Sequence, residues 1–383
     1  MKQSTLGLFG LFASLLMPGC MLFGGVRVEP VATSVQKPSN VAVYMAVSQG
    51  QEPALGLSEQ SFQVSEDGQP LTAEQSRQVL LPRDMVAVHR ALLLVDMSGP
   101  IAEGDTRKTI AMAVARFVTK AHQTQPVSVF AFDGGAQIRS IGEFPEGNDE
   151  IAEIPALESY TSQDTSSNLN GAVIEAIAQL DARLMTAQKP IRVGTLVVFA
   201  RGPDLAGRVT EGKMREALSD SKDLVLAISS KDAPGFRASS IEKDGAFEAE
   251  SMASILDPFD RAGERAASLV NRYYLLSYCS PARAGKRRFK IVVTTKNDED
   301  KEIQGSMSGE FDADGFGSGC DPTTRPRFVQ TARPDEDEQK DKEKSDRPAK
   351  GSSKSAKPPA ENAAAPADED AVAPPPDKPG YAK

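Results

Sequence analysis

The 383-residue chain is poor in the residues that build metal centres, with three cysteines and two histidines. His89 and His122 stand far apart and the cysteines fall at 20, 279 and 320, so the close ligand pairs of a Cys/His zinc centre cannot be assembled. Positive charge is also short: 44 Lys+Arg stand against 53 Asp+Glu, a formal net charge of −9. The basic excess of a nucleic-acid binder or a polybasic membrane protein is missing, and no nucleic-acid partner is expected. There is no Gly-x-Ser-x-Gly elbow, no Gly-x-x-x-x-Gly-Lys-Ser/Thr loop and no His-Glu-x-x-His. Asp298-Glu299-Asp300 reads as a solvated loop, and His89 and His122 read as structural or exposed, so no enzyme is expected. No internal repeat occurs at solenoid periods. What remains is ordinary globular composition, 40% hydrophobic and 25% charged, in a length that suits about two domains.

The two ends differ from the middle. Lys2 precedes an apolar run from Leu6 to Met17, shorter than the ~20 residues of a spanning helix, and Pro18-Gly19-Cys20 follows. This is the pattern of a secretory signal over residues 1–19, removed on export. Leu16-Met17-Pro18-Gly19-Cys20 resembles the lipobox of bacterial lipoproteins, with Pro18 where Ala, Ser or Thr is commoner; the alternative is an ordinary signal whose cysteine is incidental. The resemblance implies cleavage before Cys20, diacylglycerol on its sulfur, and a fatty acyl group such as palmitate on its new amine. Several acyl chains anchor durably where one is marginal. Met21, rather than the Asp associated with inner-membrane retention, points to the outer membrane. Residues 20–39 read as a linker. From 331 to 383 there are nine Pro, ten Lys+Arg and twelve Asp+Glu, with Val372 and Tyr381 the only large apolar side chains. Such a tail, counted from residue 326, is expected to be disordered.

Between them the pattern alternates strand and helix. Ala91–Val95, Val127–Phe132, Val193–Phe199 and Leu224–Ile228 are apolar without strict alternation, as in strands buried on both faces. Ile110, Val114, Phe117, Val118 and Ala121 mark one helical face, and Leu169, Ala172, Val173, Ala176, Ile177 and Leu180 another. The expected fold is an α/β domain over 86–279, a doubly wound, mostly parallel sheet that binds ligands beyond the carboxyl ends of its strands. Tyr273–Cys279 is expected as its final strand. Residues 280–325 read as a β extension, with strands at 286–296 and 301–312 joined by the turn Asn297-Asp298-Glu299-Asp300.

Leu93-Leu94-Val95-Asp96-Met97-Ser98-Gly99 resembles the opening of a von Willebrand factor A domain, whose Asp-x-Ser-x-Ser loop holds a divalent cation in a metal-ion-dependent adhesion site. Val129-Phe130-Ala131-Phe132-Asp133, Ser167-Asn168-Leu169-Asn170-Gly171-Ala172, Leu196-Val197-Val198-Phe199-Ala200-Arg201-Gly202 and Tyr273-Tyr274-Leu275-Leu276-Ser277-Tyr278 follow in that family's order. Upstream, Val41–Val47, Gly56-Leu57-Ser58 and Phe62–Gly68 resemble the small β unit that often precedes bacterial versions, which the resemblance implies over residues 40–85; in all it covers residues 40 to about 296. Asp96 and Ser98 match the metal site, but Pro100 replaces a ligating Ser, Ser167 stands for a Thr, and Arg201 replaces the acid expected after the fourth strand. Ser167 could ligate or could cap the helix that follows. A hard divalent ion needs oxygen ligands and negative charge, and at about 4–5 Å a guanidinium would repel it by several kcal/mol even at an effective dielectric near ~20. Neither Mg²⁺ nor Mn²⁺ is therefore expected. The Arg201 guanidinium could pair with Asp96 as an internal cation, it could point to solvent over an empty site, or Asp204 could swing in as a substitute carboxylate.

Export places Cys279 and Cys320 in an oxidising compartment, where a disulfide between them is expected. The resemblance and the missing catalytic groups together imply a non-enzymatic, lipid-anchored module at the cell envelope that holds an unidentified envelope protein without a metal bridge. The alternative is a metal-dependent adhesion or carbohydrate-binding protein using an altered site.

Overall fold

The computed structural model describes residues 25–99, 105–232 and 235–329. The signal segment, Cys20, Pro100 and the tail from residue 330 lie outside them. The chain starts with β1 (Val26–Gln36), β2 (Asn40–Gln49), β3 (Glu52–Pro53), β4 (Phe62–Glu66), β5 (Gln69–Pro70), the single turn α1 (Ala73–Ser76) and β6 (Val79–Leu81). It then runs through β7 (Ala87–Asp96), α2 (Asp105–Ala121), β8 (Val127–Phe132), β9 (Arg139–Phe144), α3 (Pro155–Glu158), α4 (Leu169–Thr186), β10 (Ile191–Phe199), α5 (Glu211–Asp220), β11 (Leu224–Ser230), β12 (Gly245–Ala249) and α6 (Leu256–Val270). It returns through β13 (Tyr273–Cys279), β14 (Lys286–Lys296) and β15 (Glu302–Asp312).

The middle stretch forms a six-stranded sheet in the order β12-β11-β10-β7-β8-β9, parallel except for the antiparallel edge strand β9. Ala91, Leu93 and Val95 face α2 and α6, while Leu92 and Leu94 face α4 and α5, so β7 is buried on both sides and its apolar run has no polar alternation. Gly263 lets α6 approach α2 closely: a methyl group there would lie 2.8 Å from the Phe117 carbonyl oxygen.

The flanking stretches do not form separate units. β1-β2-β13-β6 make one antiparallel sheet and β15-β14-β4-β5 a second. The two enclose a shared core of Val28, Val43, Met45, Val64, Phe289, Ile291 and Phe311. The α/β layer is thus inserted into a β-sandwich built from both ends of the chain. Three sequence-based boundaries change. Val26–Gln36, expected as linker within 20–39, is a full strand paired with β2. The 40–85 unit and the 280–325 extension are one sandwich, because β14 pairs with β4. Tyr273–Cys279 belongs to the sandwich, antiparallel to β2 and β6, and not to the α/β sheet.

The expected tail start at 326 also moves. Ser34 Oγ donates to the Arg327 carbonyl at 2.8 Å, the Arg327 amide donates to Gln36 Oε1 at 2.9 Å, and Phe328 is buried beside Tyr44 and Ile191. Cys279 and Cys320 form a disulfide. Both histidines are buried: His89 Nε2 meets the Tyr44 hydroxyl at 3.0 Å, and His122 lies between the carbonyls of Pro145 and Asp149. Among the described residues no helix is long and apolar enough to cross a membrane.

Candidate functional site

From β7 the parallel sheet grows to one side through β8 and to the other through β10 and β11. The crevice beyond the carboxyl ends of β7 and β10 is therefore the switch point at which such sheets bind ligands. Asp96 ends β7 and Arg201 lies two residues past β10.

Asp96 is fully buried and both carboxylate oxygens are occupied. Oδ1 accepts the Ser98 amide at 2.9 Å, and Oδ2 accepts the backbone amide of Arg201 at 2.8 Å. Burial pushes its carboxyl above the ordinary range, against the pull of the hydrogen bonds from Ser98 and the Arg201 amide. The internal pair expected between the Arg201 guanidinium and Asp96 is thus made by the backbone instead. The guanidinium passes over the loop, and Nη1 donates to the Ser98 carbonyl at 2.7 Å. Gly99 permits this loop by adopting φ +77°, and its amide donates to the Thr165 carbonyl at 2.8 Å.

Ser167 and Asp204 take roles other than those expected. Asn168 occupies the cap position of α4, and Asp204 Oδ2 accepts the Asn170 amide at 2.8 Å, placing negative charge at the helix N-terminus. Asp204 Oδ1 accepts the Gly207 amide at 2.8 Å, so the carboxylate is committed to its own loop and to α4. The Ser167 carbonyl accepts the amides of Leu205 and Ala206 at 2.8 and 2.9 Å. Its side chain is buried, and Oγ has no hydrogen-bond partner.

A second buried acid braces the neighbouring loops. Asp133 Oδ2 accepts from Arg139 Nη2 at 3.0 Å, the Tyr160 hydroxyl at 3.1 Å and the Gln163 amide at 2.9 Å, while Oδ1 accepts the Gly135 amide at 2.7 Å. The Arg139 guanidinium stacks 3.7 Å from the Tyr160 ring centroid. Arg208 donates through Nε to the Gly134 carbonyl at 2.7 Å and pairs with Asp164 at 3.4 Å. Sequence reading missed the Arg139–Tyr160 partnership. Asp133 directly after a buried strand and before two glycines was its one local signal.

The donor set at the crevice does not suit a hard divalent ion. Asp96 and Asp204 hold backbone amides with both oxygens, Arg201 adds a cation, and Ser167 Oγ is the uncommitted oxygen. Among the described residues no three His, Cys, Asp or Glu side chains converge as ligands.

No protein-family model matches the chain. No curated protein matches it. Among solved structures it is similar to a von Willebrand factor type A protein from Catenulispora acidiphila, at 10% identity over 75% of this chain and 73% of that one, with a TM-score of 0.38. It is similar also to proximal thread matrix protein 1 of the mussel byssus, at 14% identity over 48% of this chain and 49% of that one (TM-score 0.38). A third similar structure is the manganese-loaded TRAP protein of Plasmodium vivax, at 10% identity over 62% of this chain and 97% of that one (TM-score 0.36). The chain spans about half the length of the byssus protein. The α/β architecture is read from the strand order itself.

Proposed function

We propose that this protein is a non-enzymatic, lipid-anchored interaction module of the bacterial cell envelope, which holds a protein partner with the loops at the carboxyl end of its central sheet and uses no metal bridge. The observation that carries the reading is Arg201. Its amide fastens Asp96 and its guanidinium lies over the Ser98 carbonyl, where a metal-dependent face would need negative charge. The order of motifs resembling a von Willebrand factor A domain supports the same face. A non-catalytic role is supported by the histidines, both buried away from the crevice, and by an Asp96 carboxylate whose oxygens are already engaged. The lipobox-like segment ending in Cys20 supports a lipid anchor and Met21 after it favours the outer membrane; labelled palmitate entering the wild type but not Cys20→Ser checks the lipidation.

The metal-dependent alternative has one observation in its favour, the unpartnered Ser167 hydroxyl. A photo-cross-linking residue placed at Leu205, with Met185 at the far end of α4 as control, separates the two readings. Adducts from 205 and not from 185, unchanged in chelator, are expected. Adducts lost in chelator favour the alternative, and equal adducts from both positions overturn the assigned face.

A further inference from the structure

At the amino end of the parallel sheet a polar cleft of about 560 Å³ opens between the α/β layer and the sandwich. Lys222 stands just before β11 and Lys243 just before β12, the two strands on the far side of β10 from β7. The cleft is therefore about 20 Å, one strand length, from the carboxyl end where Asp96 and Arg201 lie. Five cations line it, Arg27, Lys222, Lys243, Arg265 and Arg272, with the acids Glu29, Asp223, Glu242 and Asp244. Arg27 pairs with Glu29 and Arg265 with Glu52, both at 2.7 Å. Asp244 Oδ2 accepts the Val225 amide at 2.9 Å, and Asp223 Oδ2 accepts the Ser221 hydroxyl at 2.7 Å. Among the described residues no carboxylate lies within ion-pair distance of Lys222, Lys243 or Arg272. Lys243 Nζ donates to the Ser221 carbonyl at 3.0 Å, and Arg272 Nη2 donates to the Tyr273 hydroxyl at 3.2 Å. Glu242 is the one lining acid whose carboxylate has no partner among those residues, so the unpaired balance is three cations against one acid.

The same cleft lies at the start of the first described strand. Arg27 is the second residue of β1 and is held opposite Ser48 of β2. Residues 20 and 27 are seven apart in the chain, and at about 3.3–3.6 Å per residue that length reaches at most about 25 Å. An acyl group on Cys20 therefore keeps the cleft within that distance of the lipid headgroups.

We infer that this cleft is where the protein rests on its own membrane: Lys222, Lys243 and Arg272 take the phosphate of an anionic phospholipid headgroup, and the loops at the carboxyl end of the sheet then point away from the bilayer. The inference rests on the lipid-anchored reading above and adds which face meets the lipid. A cation beside an anionic bilayer favours the docked state by about fivefold, and three together by up to about a hundredfold. The volume is that of a small-ligand site and admits a glycerophosphate headgroup. Lys222 and Lys243 are exposed, so their attraction falls steeply with salt.

The test places the acylated chain in phosphatidylcholine vesicles with or without phosphatidylglycerol. With Cys20 acylated and Cys279 paired with Cys320, a thiol introduced at the exposed cleft residue by Gln51→Cys carries a donor fluorophore, and a headgroup-labelled lipid is the acceptor. Phosphatidylglycerol is expected at least to double the energy transfer from position 51 and to leave that from Leu205→Cys, at the other end of the sheet, unchanged. Lys222→Gln combined with Lys243→Gln changes exposed side chains alone and should return the signal to the phosphatidylcholine level, as should high salt. Glu242→Gln, which removes the unpaired acid, should raise it. Equal transfer with and without phosphatidylglycerol, an equal gain at position 205, or a gain intact in the double lysine variant overturns the assignment. Loss of the gain in millimolar inorganic phosphate at constant ionic strength also overturns it, because the cleft is then a free-ion site. If palmitate labelling shows no acylation the anchor falls, and the same transfer, read on the Cys20→Ser chain mixed with vesicles, still decides the cleft.

Discussion

Both oxygens of Asp96 hold backbone amides, from Ser98 and from Arg201, in a fully buried position. Asp96→Ala leaves two buried N–H groups unpaired, each at about 1–3 kcal/mol, whereas Arg201→Ala keeps both bonds. The Asp96 variant is therefore expected to lower the urea midpoint far more than the Arg201 variant, and equal losses would mean that the guanidinium holds the crevice together. Another buried acid, Glu66, accepts the Ser280 hydroxyl at 2.9 Å, and burial raises its carboxyl above the ordinary range. A raised folded value gives stability that is full below the unfolded carboxylate value of about 4.3 and is lost as pH rises through the folded value. Glu66→Gln should flatten that decline in urea midpoints taken from acid to neutral pH; an unchanged slope would assign it to other groups. Asp96, Ser98 and Arg201 were legible as strand-end positions because buried strands announce their own ends. The direction of the Arg201 side chain was not, since a motif does not distinguish a bond from the amide from one made by the guanidinium. Nor did the sequence reveal that Asp204, rather than Ser167, serves the start of α4.

At the scale of elements, strands with one environment on both faces were readable and those with two were not. β7, β8, β10 and β11 lie between helices and show apolar stretches without strict polar alternation. β13 shows the same pattern for a different reason. Leu276 and Tyr278 face the sandwich core, while Tyr273 and Leu275 pack with Val86, Ala87 and Ile191 at the base of the α/β layer. An antiparallel strand covered on both sides is thus indistinguishable in sequence from a parallel one. β9 is a half-exposed edge strand and carried too weak an apolar pattern to be recognised. β1 alternates, but its Glu, Pro and Thr resembled a linker. Closure of the sandwich depends on Gly305 of β15, where any Cβ would collide with the carbonyl of Val26 in β1. Backbone cannot rotate away, so Gly305→Ala should cost about 1–3 kcal/mol in urea unfolding; no loss would place slack between β1 and β15.

Across the molecule, the α/β layer hangs from a sandwich whose strands come from both ends of the chain, and the segment after β15 fastens the two ends. The disulfide joins β13 to residue 320, the Asn40 side chain donates to the Asp321 carbonyl, and Phe328 enters the cluster with Tyr44 and Ile191. Cysteines 41 residues apart close a loop that stabilises by about 4 kcal/mol in the chain-entropy model. Cys279→Ser with Cys320→Ser is expected to lower stability by up to that amount, as reductant should in the wild type. Reductant-insensitive unfolding would show that the sandwich core alone holds the ends together. The pairing was legible from compartment chemistry; the sandwich was not, because its two halves are separated by the whole α/β layer.

Calorimetric titration of the full chain with Mn²⁺ bears most directly on whether Arg201 has replaced a bound ion at the crevice. No binding heat is expected for the wild type, because its crevice acids are committed to backbone amides and its remaining charge is positive. Micromolar, saturable binding lost in Ser167→Ala would contradict it.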